Sequence, residues 1–275
     1  MKERKLFCEI SPLFYKISVI KENALRSVRN VLSGTDFAER LCTEPLPCVV
    51  TEHSSVLIRR LHNVDLKLQE NKVTNIEKAC EKINGIIVNP GETFSFWKTV
   101  GKTTAKKGYK EGLVIKKGQI SSGIGGGLCQ MANMIHWLVL NSQMTVCELH
   151  HHTDALFPDE RRRVPFGTGT SVSYKNIDYR FKNETDRPVQ ILVWCENGEL
   201  KGELRTDEPF EFRYELIEED HYFEKSGEDY FRNSKVYRNV YDRKTDSLVR
   251  KELILDNHSR VMYDHTLIPK EQIRR

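Results

Sequence analysis

Apolar residues recur at helical spacing from Ser11 to Leu32 (Leu13, Ile17, Ile20, Leu25, Val28, Leu32), with Ser11-Pro12 as a start and Gly34 as a stop. A second helix is predicted from Thr74 to Asn84, capped by Thr74 or Asn75, with Ile76, Ala79, Cys80 and Ile83 on one face. Gly85 ends it, and Ile86-Ile87-Val88 reads as a short buried strand before the turn Asn89-Pro90-Gly91. Residues 92–128 read as loop-dominated chain, and a loop of that length inside a domain is usually functional. At Cys129 the pattern switches to a helix that is apolar on most sides (Met131, Met134, Ile135, Leu138, Val139, Leu140), hence buried.

Strand patterns dominate from Met144 onward: Met144 to His152, Ser171 to Lys175, Ile177 to Lys182, Val189 to Cys195 and Glu199 to Arg205. Asn197-Gly198 between the last two predicts a primed hairpin turn. Phe210, Phe212, Tyr214 and Leu216 alternate with other residues, and Lys235 to Asn257 predicts another hairpin around Lys244-Thr245-Asp246. The class expected is α+β: N-terminal helices, a Cys-bearing buried helix packed on a largely antiparallel sheet, and a β-rich C-terminal part. The expected division is residues 1–63 (helical), 64–206 (α+β core) and 207–275 (hairpin-rich extension).

Composition narrows the function classes. With 43 basic and 39 acidic side chains in 275 residues, the net charge of +4 is too small for a nucleic-acid grip. The longest apolar runs fall short of the ~20 residues a spanning helix needs, so no transmembrane segment is expected. The basic start MKERK resembles a signal peptide, but Glu9 and Lys16 interrupt the apolar stretch, which gives a cytoplasmic reading. The seven cysteines form no C-x-x-C pair, so neither a disulfide framework nor a zinc site is expected, and no cofactor is called for.

Candidate chemistry centres on Ile124-Gly125-Gly126-Gly127-Leu128-Cys129-Gln130. A cysteine in the first turn of a helix sits where the helix dipole stabilises a thiolate. Gly125, Gly126 and Gly127 would let a substrate backbone approach, and Gln130 is a candidate oxyanion donor. The alternative is a buried cysteine that happens to open a core helix. No Walker or dinucleotide pattern fits these glycines. Strand alternation puts Glu148, His150 and His152 on one face, where a histidine could serve Cys129 as general base. A polar strand end or a metal site are the rivals, the latter without supporting spacing. Asp178 is the candidate orienting carboxylate, and Arg161-Arg162-Arg163 reads as a solvated loop that could instead grip an anion.

Together these residues resemble the VanW family. The resemblance is carried by Asn89-Pro90-Gly91-Glu92-Thr93-Phe94-Ser95-Phe96, by Gly125-Gly126-Gly127-Leu128-Cys129-Gln130, by His150 to His152, and by Ile177-Asp178-Tyr179-Arg180-Phe181-Lys182-Asn183-Glu184-Thr185-Asp186. It covers roughly residues 64–206 and implies an accessory protein of vancomycin-type glycopeptide resistance. Cys129 and Gln130 match the family's G-G-G-x-C-Q directly, and His152 aligns best by its distance to Phe157-Pro158. Where many members carry an acidic residue, this chain has Gly169, which makes Asp178 the substitute. The layout is similar to transglutaminase-like and papain-like cysteine enzymes, by analogy only. Three expectations follow. One is cysteine-dependent amide or acyl chemistry on a cell-wall peptide, by a Cys129-His152-Asp178 hydrolase or acyltransferase. Another is a non-catalytic module binding a peptidoglycan precursor or glycopeptide. A third is a docking partner for another protein.

Overall fold

The computed structural model describes residues 11–58, 65–116, 119–151, 154–155, 158, 164–165, 167–174 and 176–274. Helix α1 (Pro12–Leu32) starts where expected: Ser11 Oγ accepts from Phe14 N at 3.3 Å and Pro12 opens the first turn. The next element is a strand, β1 (Cys48–Val56), within the 1–63 stretch expected to be helical. It is a sheet edge, so its buried and exposed positions do not alternate cleanly and His53, Ser54 and Ser55 are tolerated there.

Helix α2 (Leu66–Ile83) begins eight residues before the expected start, because Asp65 Oδ1 caps it through Lys67 N at 2.8 Å. Asn75 is therefore not a cap but a buried residue in the helix. Beyond it lie β2 (Ile86–Val88), β3 (Thr93–Ser95) and the short helix α3 (Phe96–Val100). The stretch read as loop contains a hairpin, β4 (Glu111–Lys116) and β5 (Gln119–Ile124), whose Gly and Ser content hides the alternation. Helix α4 (Cys129–Leu140) follows as expected, with Met131, Ile135 and Leu138 fully buried.

The remaining elements are strands: β6 (Thr145–Glu148), β7 (Asp154–Ala155), β8 (Arg180–Lys182), β9 (Val189–Glu196), β10 (Glu199–Thr206), β11 (Phe212–Ser226), β12 (Asp229–Asp242), β13 (Leu248–Val261) and β14 (Ile273–Arg274). Asn197 (φ 51°) and Gly198 (φ 76°) make the β9–β10 turn with two positive φ angles, as a primed hairpin requires. The β12–β13 hairpin turns at Asp246, also at positive φ. Met144 to His152 is strand only over Thr145–Glu148, since pairing with β8 slips between Val146 and Glu148.

The β1-β10-β9-β2 sheet is antiparallel throughout, and α2 and α4 lie against it to enclose the main core. Gly202 on β10 makes room for α4: a Cβ there would come within 2.9 Å of Met134 Cγ. A three-stranded sheet, β3-β8-β6, flanks this core, and the long β11-β12-β13 meander forms a further sheet with its own small core around Phe223 and Val261. The fold is α+β with a β-rich C-terminal part.

Candidate functional site

The turn Gly125–Leu128 delivers Cys129 to the start of α4, with Gly125 (φ 78°) and Gly127 (φ 93°) in conformations that L side chains avoid. The bare faces of the glycines are filled by the protein itself. A Cβ on Gly126 would lie 2.2 Å from the Gly112 backbone, and one on Gly127 would lie 2.1 Å from Lys72 Cγ. Gly125 similarly abuts Thr103. These glycines thus serve close packing of the loop on β4 and α2, rather than presenting an open face to a ligand. Buried Asn75 completes the clamp: its Nδ2 donates to Gly126 O (2.9 Å) and Lys110 O (3.0 Å), and its Oδ1 accepts from Lys110 N (2.8 Å).

Cys129 retains a partly accessible surface, and its Sγ donates to Val172 O at 3.8 Å. Burial pushes the thiol above its ordinary value of 9.0, so at neutral pH it is protonated. Gln130 points elsewhere: its Nε2 donates to Ser55 Oγ and Val56 O, both at 2.9 Å, pinning α4 to β1.

Asn133 and His136 recur at i+4 and i+7 from Cys129 and share its helix face. Asn133 Oδ1 accepts from Thr170 N at 2.6 Å. His136 is buried with its Nδ1 at 3.2 Å from Tyr179 Oη, and burial followed by the neighbouring His151 depresses its pKa to about 3. Seven residues of helix separate it from Cys129 by about 10 Å along the axis, beyond direct proton transfer. Both residues were legible as a polar stripe on an otherwise apolar helix.

The segment Gly169–Val172 connects the cysteine to the histidines. On one side it accepts from Cys129 and donates to Asn133. On the other, Ser171 N donates to His150 O (2.9 Å), and His151 Nδ1 lies 3.1 Å from Gly169 O. A carbonyl only accepts, so His151 Nδ1 carries the proton and Nε2 is left as the basic nitrogen. The His150 side chain is exposed. His152 and Arg161-Arg162-Arg163 lie outside the described residues.

Asp178 is buried and its carboxylate already has four donors. They are Ser95 Oγ (2.6 Å), Trp97 N (3.0 Å), Tyr179 N (3.0 Å) and Arg180 Nε (2.8 Å). Its backbone N donates to Glu148 Oε1 at 3.1 Å. It therefore ties α3 to β8 and β6, and none of these contacts is to a histidine. Orienting an imidazole would require displacing one of those donors.

A cleft of about 360 Å3 opens between α4, the β6 region and the C-terminal sheet, with His136, His151, Thr168, Tyr214, Arg238 and Arg250 among its walls. Glu252 bridges the two arginines at 2.6 Å each. Among the described residues, no three His, Cys, Asp or Glu side chains converge as a metal centre would require.

A family profile described as VanW like protein matches residues 71–205. The chain is 27% identical over 230 residues to the vancomycin B-type resistance protein VanW of Enterococcus faecalis, covering 84% of each. It is 31% identical over 166 residues to the uncharacterized protein YoaR of Bacillus subtilis, across 60% of this chain and about half (49%) of that relative. No solved structure matches.

Proposed function

For a chain that belongs to the VanW-like family, we propose a role in resistance to vancomycin-type glycopeptides, exercised by thiol-dependent acyl chemistry on a cell-wall peptide or its precursor. The observation that carries the reading is the shared segment Gly169–Val172, which holds Cys129 Sγ on one side and the His150 carbonyl and His151 ring on the other. A cysteine at a helix start and a histidine-bearing segment are thereby neighbours of one strip of chain, which supports a nucleophile and base pairing.

In the reaction proposed, Cys129 Sγ attacks an amide carbonyl carbon and its proton passes to a histidine of the 150–152 segment, His152 by the family match. The C–S bond forms, the C–N bond breaks, and the histidine returns the proton to the departing amine. Water or a second amine then attacks the thioester, with its proton restored to Sγ. The Cys129 N–H at the start of α4 is the oxyanion donor, since Gln130 N and Ala132 N already donate to Gly127 O and Leu128 O and the Gln130 side chain is engaged by β1. Because the resting thiol is protonated, the base acts at the moment of attack rather than by maintaining a thiolate.

A second reading is favoured by one observation, the cleft bearing Arg238 and Arg250: a module that binds an anionic precursor without chemistry. Cells carrying the full resistance cluster separate the two readings. Cys129→Ser should abolish the contribution of this chain while the protein stays folded and abundant. A resistance phenotype that survives Cys129→Ser but is lost in Arg250→Ala supports binding instead.

A further inference from the structure

Helix α1 is docked backwards. Arg26 Nη1 holds both oxygens of Glu148 (2.8 and 2.9 Å), its Nη2 donates to Asn176 O (3.1 Å), and Asn30 Oδ1 accepts from Arg180 Nη1 (2.9 Å). The polar face thus meets the protein. The apolar residues Leu13, Ile17, Ile20, Val28 and Val31 fall within about 80° of one another on the opposite side, at 100° per residue. They are exposed there, Leu13 at 64%, Ile20 at 67% and Val31 at 79%. A stripe about 27 Å long, from Leu13 to Val31, is left facing solvent.

Charge identifies what covers it. Of the 43 basic and 39 acidic side chains, seven and three lie in the first 32 residues. The remaining 243 residues balance at 36 of each, so the whole excess of +4 resides with this helix and the eleven residues before it. Lys21 and Arg29 are exposed on α1 itself. An outward apolar stripe with a local cationic excess is the signature of a helix lying in a membrane interface. No described helix is long and apolar enough to cross a membrane, so the helix would lie on the bilayer and not span it. A protein groove could take the stripe, but it would not account for the charge being confined to this end of the chain.

We infer that α1 is a surface anchor that lays its apolar stripe on an anionic lipid bilayer, holding the body of the protein against the membrane through Arg26 and Asn30. The inference stands apart from the thiol reading, since no residue is shared.

The test is co-sedimentation of the full chain with phosphatidylcholine vesicles, with and without phosphatidylglycerol. Association is expected only with the anionic vesicles and should weaken steeply as salt rises. Ile17→Ser/Ile20→Ser/Val28→Ser should reduce partitioning by about tenfold or more, with unchanged thermal unfolding because the stripe is exposed. Lys21→Gln/Arg29→Gln should cost about fivefold per charge. Absence of vesicle association by the unmutated chain overturns the inference, whatever the variants do. So does binding that the triple variant leaves unchanged, or concentration-dependent self-association that the triple variant abolishes.

Discussion

Replacing Asp178 separates a scaffold role from a catalytic one. The carboxylate is 3% exposed and accepts from Ser95 Oγ, Trp97 N, Tyr179 N and Arg180 Nε. Asp178→Ala strands these donors, and breaking one partner of a buried ion pair costs about 3–5 kcal/mol. The low end applies here, because Arg180 Nε keeps Glu148 Oε2 at 3.4 Å. At about 2–4 °C per kcal/mol for a chain of this size, Asp178→Ala should lower the melting temperature by ~6–12 °C. Asp178→Asn retains one acceptor oxygen but aims an amide at Arg180 and Ser95, so about half that loss is expected, ~1.5 kcal/mol. Differential scanning fluorimetry reads the melting shift, and iodoacetamide labelling of Cys129 followed by peptide mass spectrometry reads the thiol. The expected pattern is a large thermal penalty with an unchanged Cys129 labelling rate below the transition. An Asn variant that melts like the parent but labels more slowly at Cys129 would refute the scaffold role and restore the orienting carboxylate.

Three further outcomes follow from the same geometry. His136, held near pKa 3 by burial against 6.5 when unfolded, stays neutral while the unfolded chain takes up a proton. Stability is therefore lost as pH falls from 6.5 toward 3, by on the order of 3–5 kcal/mol, and His136→Gln should flatten that limb of the urea-denaturation profile. The Cys129 thiol is raised by burial, so its stabilising contribution is present below the ordinary value of 9.0 and declines as pH rises beyond it; its labelling rate should be slow at neutral pH and still climbing above pH 9. Gly126→Ala places a Cβ 2.2 Å from the Gly112 backbone and should unfold or strongly destabilise the chain, whereas Gly198→Ala, with open space around it, should cost only ~1–2 kcal/mol for its positive φ; paired thermal melts check the contrast.

Elements with a strong local signal were legible in the sequence. Ser11-Pro12 placed the start of α1, Cys129 that of α4, and Asn197-Gly198 the β9–β10 turn. Elements defined by tertiary partners were not. β1 is an edge strand whose pairing with β10 supplies its regularity, and the β4–β5 hairpin is masked by glycines that exist for close packing. In the site, the cysteine and the histidine segment were visible as residue types, but the strip that joins them, Gly169–Val172, carries no chemistry of its own. Asp178 shows the opposite error: an acidic residue on a strand reads as an available carboxylate until the Ser95 and Arg180 contacts fill it. Asn75 looked like a helix cap because nothing local reveals that α2 begins at Asp65 and that its amide clamps the glycine turn.

The most direct test of thiol chemistry is to incubate the chain with a synthetic peptidoglycan stem peptide, quench with acid, and map adducts by mass spectrometry. The account predicts an acyl mass on the peptide containing Cys129, labile to hydroxylamine as a thioester is, absent from Cys129→Ser and diminished in His152→Ala. Specific binding of the stem peptide with no adduct at Cys129, alongside a Cys129→Ser variant that still supports resistance, would contradict it.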